Sequence, residues 1–242
     1  MIQIYPVHFE AEISEGDDLT QLIRSSAPAF LNGDVVVVSQ KAVSKAEGQI
    51  VELAGVEPSP QALELAGDHS DPRVVEVILR ESVRVVRHRG PLLITETHHG
   101  FVCASAGVDR SNAPRPDTVV LLPKDSDASA AALRRELEAA THRRLAVIIA
   151  DTMGRPLRDG IVGTAIGVSG LEPLLNLSGL VDPNNYAMMT TVVAVADELA
   201  AAADLVIGKI GRIPAAVVRG FAPSGDGSAR QLIRDRATDL FV

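Results

Sequence analysis

Leu145-Ala146-Val147-Ile148-Ile149-Ala150 runs directly into Asp151-Thr152. Six apolar residues without a polar break, β-branched at their centre, predict a strand buried on both faces. Asp151 and Thr152 then stand at its carboxyl end, where α/β sheets place ligands. Val35-Val36-Val37-Val38 is a second such run, too short and too β-branched for a helix, and Ser39-Gln40-Lys41 closes it. Around these runs the spacing turns helical. Asp17-Asp18 caps a predicted helix with Leu19, Leu22, Ile23, Phe30 and Leu31 on one face and Gly33 at its end. Pro72 opens another, carrying Val74, Val75, Ile78, Leu79 and Val83, before a strand over 92–95. Helices are expected over about 127–142 and 197–205 and strands over 190–195 and 215–218. The span 112–116 reads as a turn, and 154–170 as irregular glycine-rich chain suited to wrapping a ligand. The expected class is α/β, with mixed sheets and flanking helices.

Composition narrows the function. The 242 residues are 46% hydrophobic and 22% charged, enough for a sizeable core. Aromatics are 3% and Trp is absent, so aliphatic side chains must fill it. With 31 acidic against 23 basic residues the net charge is -8, which argues against a general nucleic-acid binder. A single cysteine, Cys103, excludes an intrachain disulfide and a multi-thiolate zinc site. No basic start with an apolar stretch marks a secretory signal, and Asp197, Glu198 and Asp204 interrupt the most apolar region. The expectation is a cytoplasmic protein with no membrane or nucleic-acid partner.

Several segments carry candidate chemistry. Asp151 and Thr152 offer hard oxygens suited to Mg²⁺ or Mn²⁺; the plainer reading is a turn aspartate bonded to its own backbone. Gly107-Val108-Asp109-Arg110-Ser111-Asn112 supplies a second carboxylate, or else a polar loop. In Ser39-Gln40-Lys41-Ala42-Val43-Ser44-Lys45, two ammonium groups beside a strand end suit phosphates; the alternative is a solvated basic loop. Arg155 and Arg158 flank the aspartate loop as candidate anion holders, or as partners of Asp159. Ile207-Gly208-Lys209 lacks the upstream glycine and following hydroxyl of a P-loop. His98-His99 reads as structural, and Cys103, beside Phe101 and Val102, as an inert buried thiol.

Taken in order, Gly33-Asp34-Val35-Val36-Val37-Val38-Ser39-Gln40-Lys41, Ser44-Lys45-Ala46-Glu47-Gly48, Ala106-Gly107-Val108-Asp109 with Ser111-Asn112, and Asp151-Thr152-Met153-Gly154-Arg155 form a pattern. Ala194-Val195-Ala196-Asp197-Glu198 and Val217-Val218-Arg219-Gly220 extend it over nearly the whole chain. The pattern resembles the coenzyme F-420:L-glutamate ligases, or gamma-glutamyl ligases, most of all the N-terminal ligase domain of the two-domain actinobacterial version. The chain ends at Phe241-Val242, so that resemblance implies a stand-alone ligase or that domain without its flavin-binding companion.

The resemblance implies a gamma-glutamyl ligase-like fold of two interlocked lobes, about 1–81 plus 187–242 and about 82–186, and a homodimer. It implies GTP-dependent joining of L-glutamate to the phospholactyl carboxylate of coenzyme F-420-0 through an acyl phosphate. GDP and phosphate would be released, and further gamma-linked glutamates added. Implied ligands of Mg²⁺ or Mn²⁺ are Asp109, Asp151 and Thr152, with K⁺ as a further candidate ion. Implied GTP contacts are Glu10, Ala11, Glu12, Ile13, Gln40, Lys45, Asn112, and 207–214 with Ile207, Gly208, Lys209 and Pro214. Asp109, Asp151 and Lys45 would be catalytic; Gln40 departs from relatives that carry Ser. The paired aspartates also suit a metal-dependent phosphohydrolase, and the phosphate-binding features a non-catalytic partner of a reductase.

Overall fold

A computed structural model describes residues 1–239; Leu240, Phe241 and Val242 lie outside the described residues. β1 (Gln3–Val7), α1 (Leu19–Ser26), β2 (Val35–Ser39) and α2 (Gln40–Ala46) open the chain. A middle section follows: β3 (Ile50–Glu52), α3 (Pro60–Ala66), α4 (Pro72–Arg80), β4 (Ser82–Arg89), β5 (Leu92–Thr97), β6 (Val102–Ala104) and β7 (Thr118–Val120). Then come α5 (Ser126–Thr141), β8 (Ala146–Arg155), β9 (Arg158–Ser169), β10 (Leu175–Asn176), β11 (Val192–Val193), α6 (Val195–Ile207) and β12 (Ala215–Arg219).

The main sheet runs β1-β12-β2-β8-β9. β2 and β8, the two runs legible in the sequence, lie side by side in parallel, from Val35 opposite Ala146 to Ser39 opposite Ala150. The remaining neighbours are antiparallel. Alternation divides the strands between two cores. Val36, Val38, Val147, Ile149 and Val217 pack with Ile23, Val43, Leu133 and Leu137 of α1, α2 and α5. Val35, Val37, Ala146, Ile148 and Val218 pack with Leu199, Ala200 and Ala203 of α6. Burial on both faces is why these strands read as continuous apolar runs.

A parallel pair needs a long crossover, and the middle section supplies it, with its own core of Leu53, Val75, Ile78, Leu93 and Val119. The lobe boundaries expected near 82 and 186 cut through both bodies. The main sheet takes β8 and β9 from inside that range and its other strands from outside, while Leu53 and Val119 share one core.

Other expectations need correction. α1 is capped by Asp18, which accepts from the Gln21 amide at 2.9 Å, but it ends at Ser26. Pro28 holds Ala27 extended, so Phe30 and Leu31 lie beyond the helix and Gly33 turns the chain into β2. α4 ends at Arg80, leaving Val83 to β4. The strand expected over 190–195 is only Val192–Val193. Ser39–Lys45 is no solvated loop: Ser39 ends β2 and the rest is α2.

The largest correction concerns 154–170. This span is not irregular; β8 and β9 form a long hairpin around Pro156 and Leu157. Its glycines let helices approach. A Cβ on Gly163 would lie 2.6 Å from the Ala200 carbonyl oxygen of α6, so the residue that looks flexible is a close-packing position.

No described helix is long and apolar enough to cross a membrane. The mixed α/β class is as expected.

Candidate active site

The carboxyl ends of β2 and β8 meet above the sheet. β2 delivers Ser39 and then Lys41, the second residue of α2. Lys41 Nζ lies 2.5 Å from Asp109 Oδ2 and donates to Ser111 Oγ at 2.6 Å. Asp109 is fixed in turn by the Ser111 amide, 2.6 Å from Oδ1, and by backbone pairing with Val120. Burial pushes its carboxyl up, but the Lys41 ammonium and Ser111 outweigh that and hold it below the ordinary carboxylate range.

Asp151 continues β8, paired with Thr164 of β9; it is a strand residue, not a turn aspartate. Burial raises its carboxyl above the usual range, and the like charge of Asp109 adds to that. The Thr152 amide, Lys41 and Lys209 act in the opposite direction. The structure thus brings the two aspartates, 42 positions apart in the chain, into one electrostatic neighbourhood centred on Lys41. Cys103 borders it. Burial and then the charge of Asp151 push its thiol up to about 12, an inert sulfur as expected.

Thr152 parts company with them. Successive strand residues face opposite sides, and the Thr152 hydroxyl accepts from Lys209 Nζ, just beyond α6. Of the three expected ligands, Asp109 and Asp151 lie about Lys41, while the Thr152 side chain turns to Lys209; Asp151 and Thr152 still line one hollow. The two neighbouring carboxylates, Asp109 part-exposed and Asp151 buried, fit a hard divalent cation, and Thr152 fits a role through Lys209.

Two connected hollows adjoin these groups. The larger, about 320 Å³, is lined by Ala11, Glu12, Ile13, Lys45, Arg212 and Pro214, among others. The smaller, about 60 Å³, is lined by Asp151, Thr152 and Asp204. Ser39, Lys41, Asn112, Ile207, Gly208 and Lys209 line both, so cations stand at the junction. Lys45 is 6% exposed and its Nζ lies 2.8 Å from Glu12 Oε1. Hydrogen bonding and attraction from Lys45 hold the Glu12 carboxyl below its ordinary range.

Some expected contacts fall elsewhere. Glu10 is exposed and lines neither hollow. Gln40 is turned into the protein at 1% exposure; its Oε1 accepts from the Ser44 hydroxyl at 2.9 Å and its Nε2 has no partner among the described residues. Arg155 and Arg158 stand at the exposed end of the β8–β9 hairpin and line neither hollow. His98 and His99 sit in the turn after β5, bonded to the Arg80 and Pro123 carbonyls. Lys41 belongs to the basic stretch singled out for phosphates and Arg212 to the 207–214 span; what the sequence did not show is that Lys41 pairs with Asp109.

Comparison with known proteins assigns the chain to a family. Residues 10–220 match the family model described as F420-0:Gamma-glutamyl ligase. The chain is 45% identical to the coenzyme F420:L-glutamate ligase of Methanothermobacter thermautotrophicus, over 95% of this chain and 94% of that protein. It is 45% identical to the enzyme of the same name from Methanopyrus kandleri, over 99% of this chain and 97% of that protein. A third relative of that name, from Methanocaldococcus jannaschii, is 44% identical over 87% of this chain and 85% of its own length. The first two of these relatives are matched over nearly their whole length. With most of its length matched by the family model, the chain belongs to the F420-0:gamma-glutamyl ligase family.

Proposed function

We propose that this ligase uses GTP to add L-glutamate to the phospholactyl carboxylate of coenzyme F-420-0, and then further gamma-linked glutamates, in coenzyme F-420 biosynthesis. The observation that carries the reading is the grouping of Asp109 and Asp151 about Lys41, which lines both hollows. Family membership supports the glutamate-ligating part, since the relatives are named for it.

A carboxylate does not condense with an amine in water, because oxide is too poor a leaving group. Transfer of the terminal phosphoryl group of GTP to the carboxylate gives an acyl phosphate. The glutamate amine then forms the C–N bond as the C–O bond to phosphate breaks, releasing phosphate beside GDP. Phosphoryl transfer rests on alignment and charge neutralisation. The larger hollow has room for the nucleoside part, with apolar walls from Ile13, Ile207 and Pro214. Lys41, Lys209 and Lys45 offset phosphate charge, and Asn112 orients the nucleotide between the hollows. Asp109 and Asp151 would hold Mg²⁺ or Mn²⁺, which when bound screens phosphate oxygens; K⁺ is a further candidate. Lys209 fixes the Thr152 hydroxyl at the edge of the same region. Arg155 and Arg158 are proposed to meet the anionic coenzyme where the hairpin projects. Action as a cytoplasmic homodimer completes the reading.

The test is incubation with GTP, Mn²⁺ and coenzyme F-420-0, with and without L-glutamate, followed by mass spectrometry. One glutamyl mass added, with GTP consumed only when glutamate is present, is the expected result. Phosphate release independent of glutamate would instead assign the aspartates to a hydrolase.

A further inference from the structure

A third hollow, about 290 Å³, opens at the free edge of β9 and is absorbed by none of the roles above. Its apolar wall is Phe101, Val102 and Met153, and Ile233 closes it from the strap after β12. Met153 lies two residues beyond Asp151 on β8, hence on the same face, roughly 7 Å along the strand. Thr164, the direct partner of Asp151, also lines it.

The polar groups are arranged by sign. Glu96 Oε2 accepts from Arg84 Nε at 2.8 Å and from Arg236, so this trio is fixed and carries one net positive charge. Arg234 adds a second cation and has no ion pair among the described residues. Opposite in character is Asp197, in the first turn of α6, whose Oδ1 accepts from the Ala165 amide at 2.9 Å. That amide is its one hydrogen-bond partner among the described residues. Asp239, itself partnered, also lines the hollow. Beside Asp239 with its own partner, two cationic positions, the Asp197 carboxylate and an apolar wall match an α-amino acid with a second carboxylate on a short methylene chain. The end of a growing gamma-glutamyl tail lacks the free ammonium that Asp197 would meet.

We propose that this hollow is the site for the acceptor amino acid, with Asp197 receiving the ammonium of free L-glutamate and Arg234 with the Arg84–Glu96–Arg236 trio receiving its carboxylates. This rests on the ligase reading above and assigns that reaction's amine donor a place next to Asp151.

Steady-state assays of the full chain with GTP, Mn²⁺ and coenzyme F-420-0 test it. Asp197→Asn, which keeps an acceptor for the Ala165 amide, and Arg234→Ala, on the exposed strap, should each raise KM for L-glutamate about tenfold or more. KM for GTP should stay unchanged in both. Glutarate, which lacks the ammonium, should compete poorly against wild type, and Asp197→Asn should erase that discrimination. An unchanged glutamate KM in Arg234→Ala, or a matching rise in GTP KM in either variant, overturns the site while leaving the ligase reading intact. If wild type forms no glutamyl product, the ligase reading fails by itself. Calorimetric titration of L-glutamate then reads the site directly: binding lost in both variants supports it, and no binding to wild type overturns it.

Discussion

Two basic stretches flank the same sheet and look alike as sequence: Lys41 and Lys45 after β2, and Arg155 and Arg158 around the β8–β9 turn. In space they differ sharply. The Lys41 and Lys45 side chains are 14% and 8% exposed, each clamped on a carboxylate. Leu157, between the two arginines, is 91% exposed, and among the described residues the Arg155 side chain bonds only the Asp159 carbonyl, at 3.3 Å. A cation fixed in a poorly solvated pocket acts on a phosphate far more strongly than one waving in water. Sequence shows where charge is; packing decides what the charge is worth.

The most damaging test of that contrast is Asp151→Asn. Turnover should fall on the order of a thousandfold, without a lower thermal midpoint, because the amide relieves a carboxylate that burial penalises. Full activity would dismantle the contrast. Lys45→Met comes next, and should raise KM for GTP about tenfold while the protein stays folded, since the Glu12 side chain it abandons is 60% exposed. Replacing Arg155 and Arg158 together by Ala should raise KM for the anionic coenzyme by no more than about tenfold, with the effect fading in salt. A larger, salt-insensitive loss would show the hairpin end closing over substrate.

The smallest effect sharpens the comparison away from the site. The Ser59 hydroxyl and amide and the Arg80 guanidinium lower the Glu76 carboxyl from 4.5 to about 2. A lowered folded value means the stability it contributes is present above 4.5 and lost as pH falls toward 2. Chemical denaturation across that window should therefore show a shallower pH dependence for Glu76→Gln than for wild type.

The legible parts of the fold were those whose burial leaves a local imprint. Val35–Val38 and Leu145–Ala150 announce themselves because both faces are covered. β9 stayed hidden because Gly160, Gly163 and Gly167 imitate a loop, although Gly163 is small so that α6 can approach. α2 was obscured by Gln, Lys and Ser, whose polar ends point to the cleft or to each other. Within the site, Asp109, Asp151 and the Lys41 ammonium were each readable as candidates, but their association was not, since the ion pair spans 68 positions of chain. The division of Asp151 from Thr152 needed only strand alternation, yet it presupposed that β8 continues past Ala150.

The position of β12 has a consequence for biosynthesis. It slots between β1 and β2, and the link that precedes it lines the larger hollow. A ribosome halted before Ala215 would hold a chain whose first two sheet strands have no common neighbour. The main sheet and the larger hollow are thus completed only once β12 has been made, long after β1 and β2.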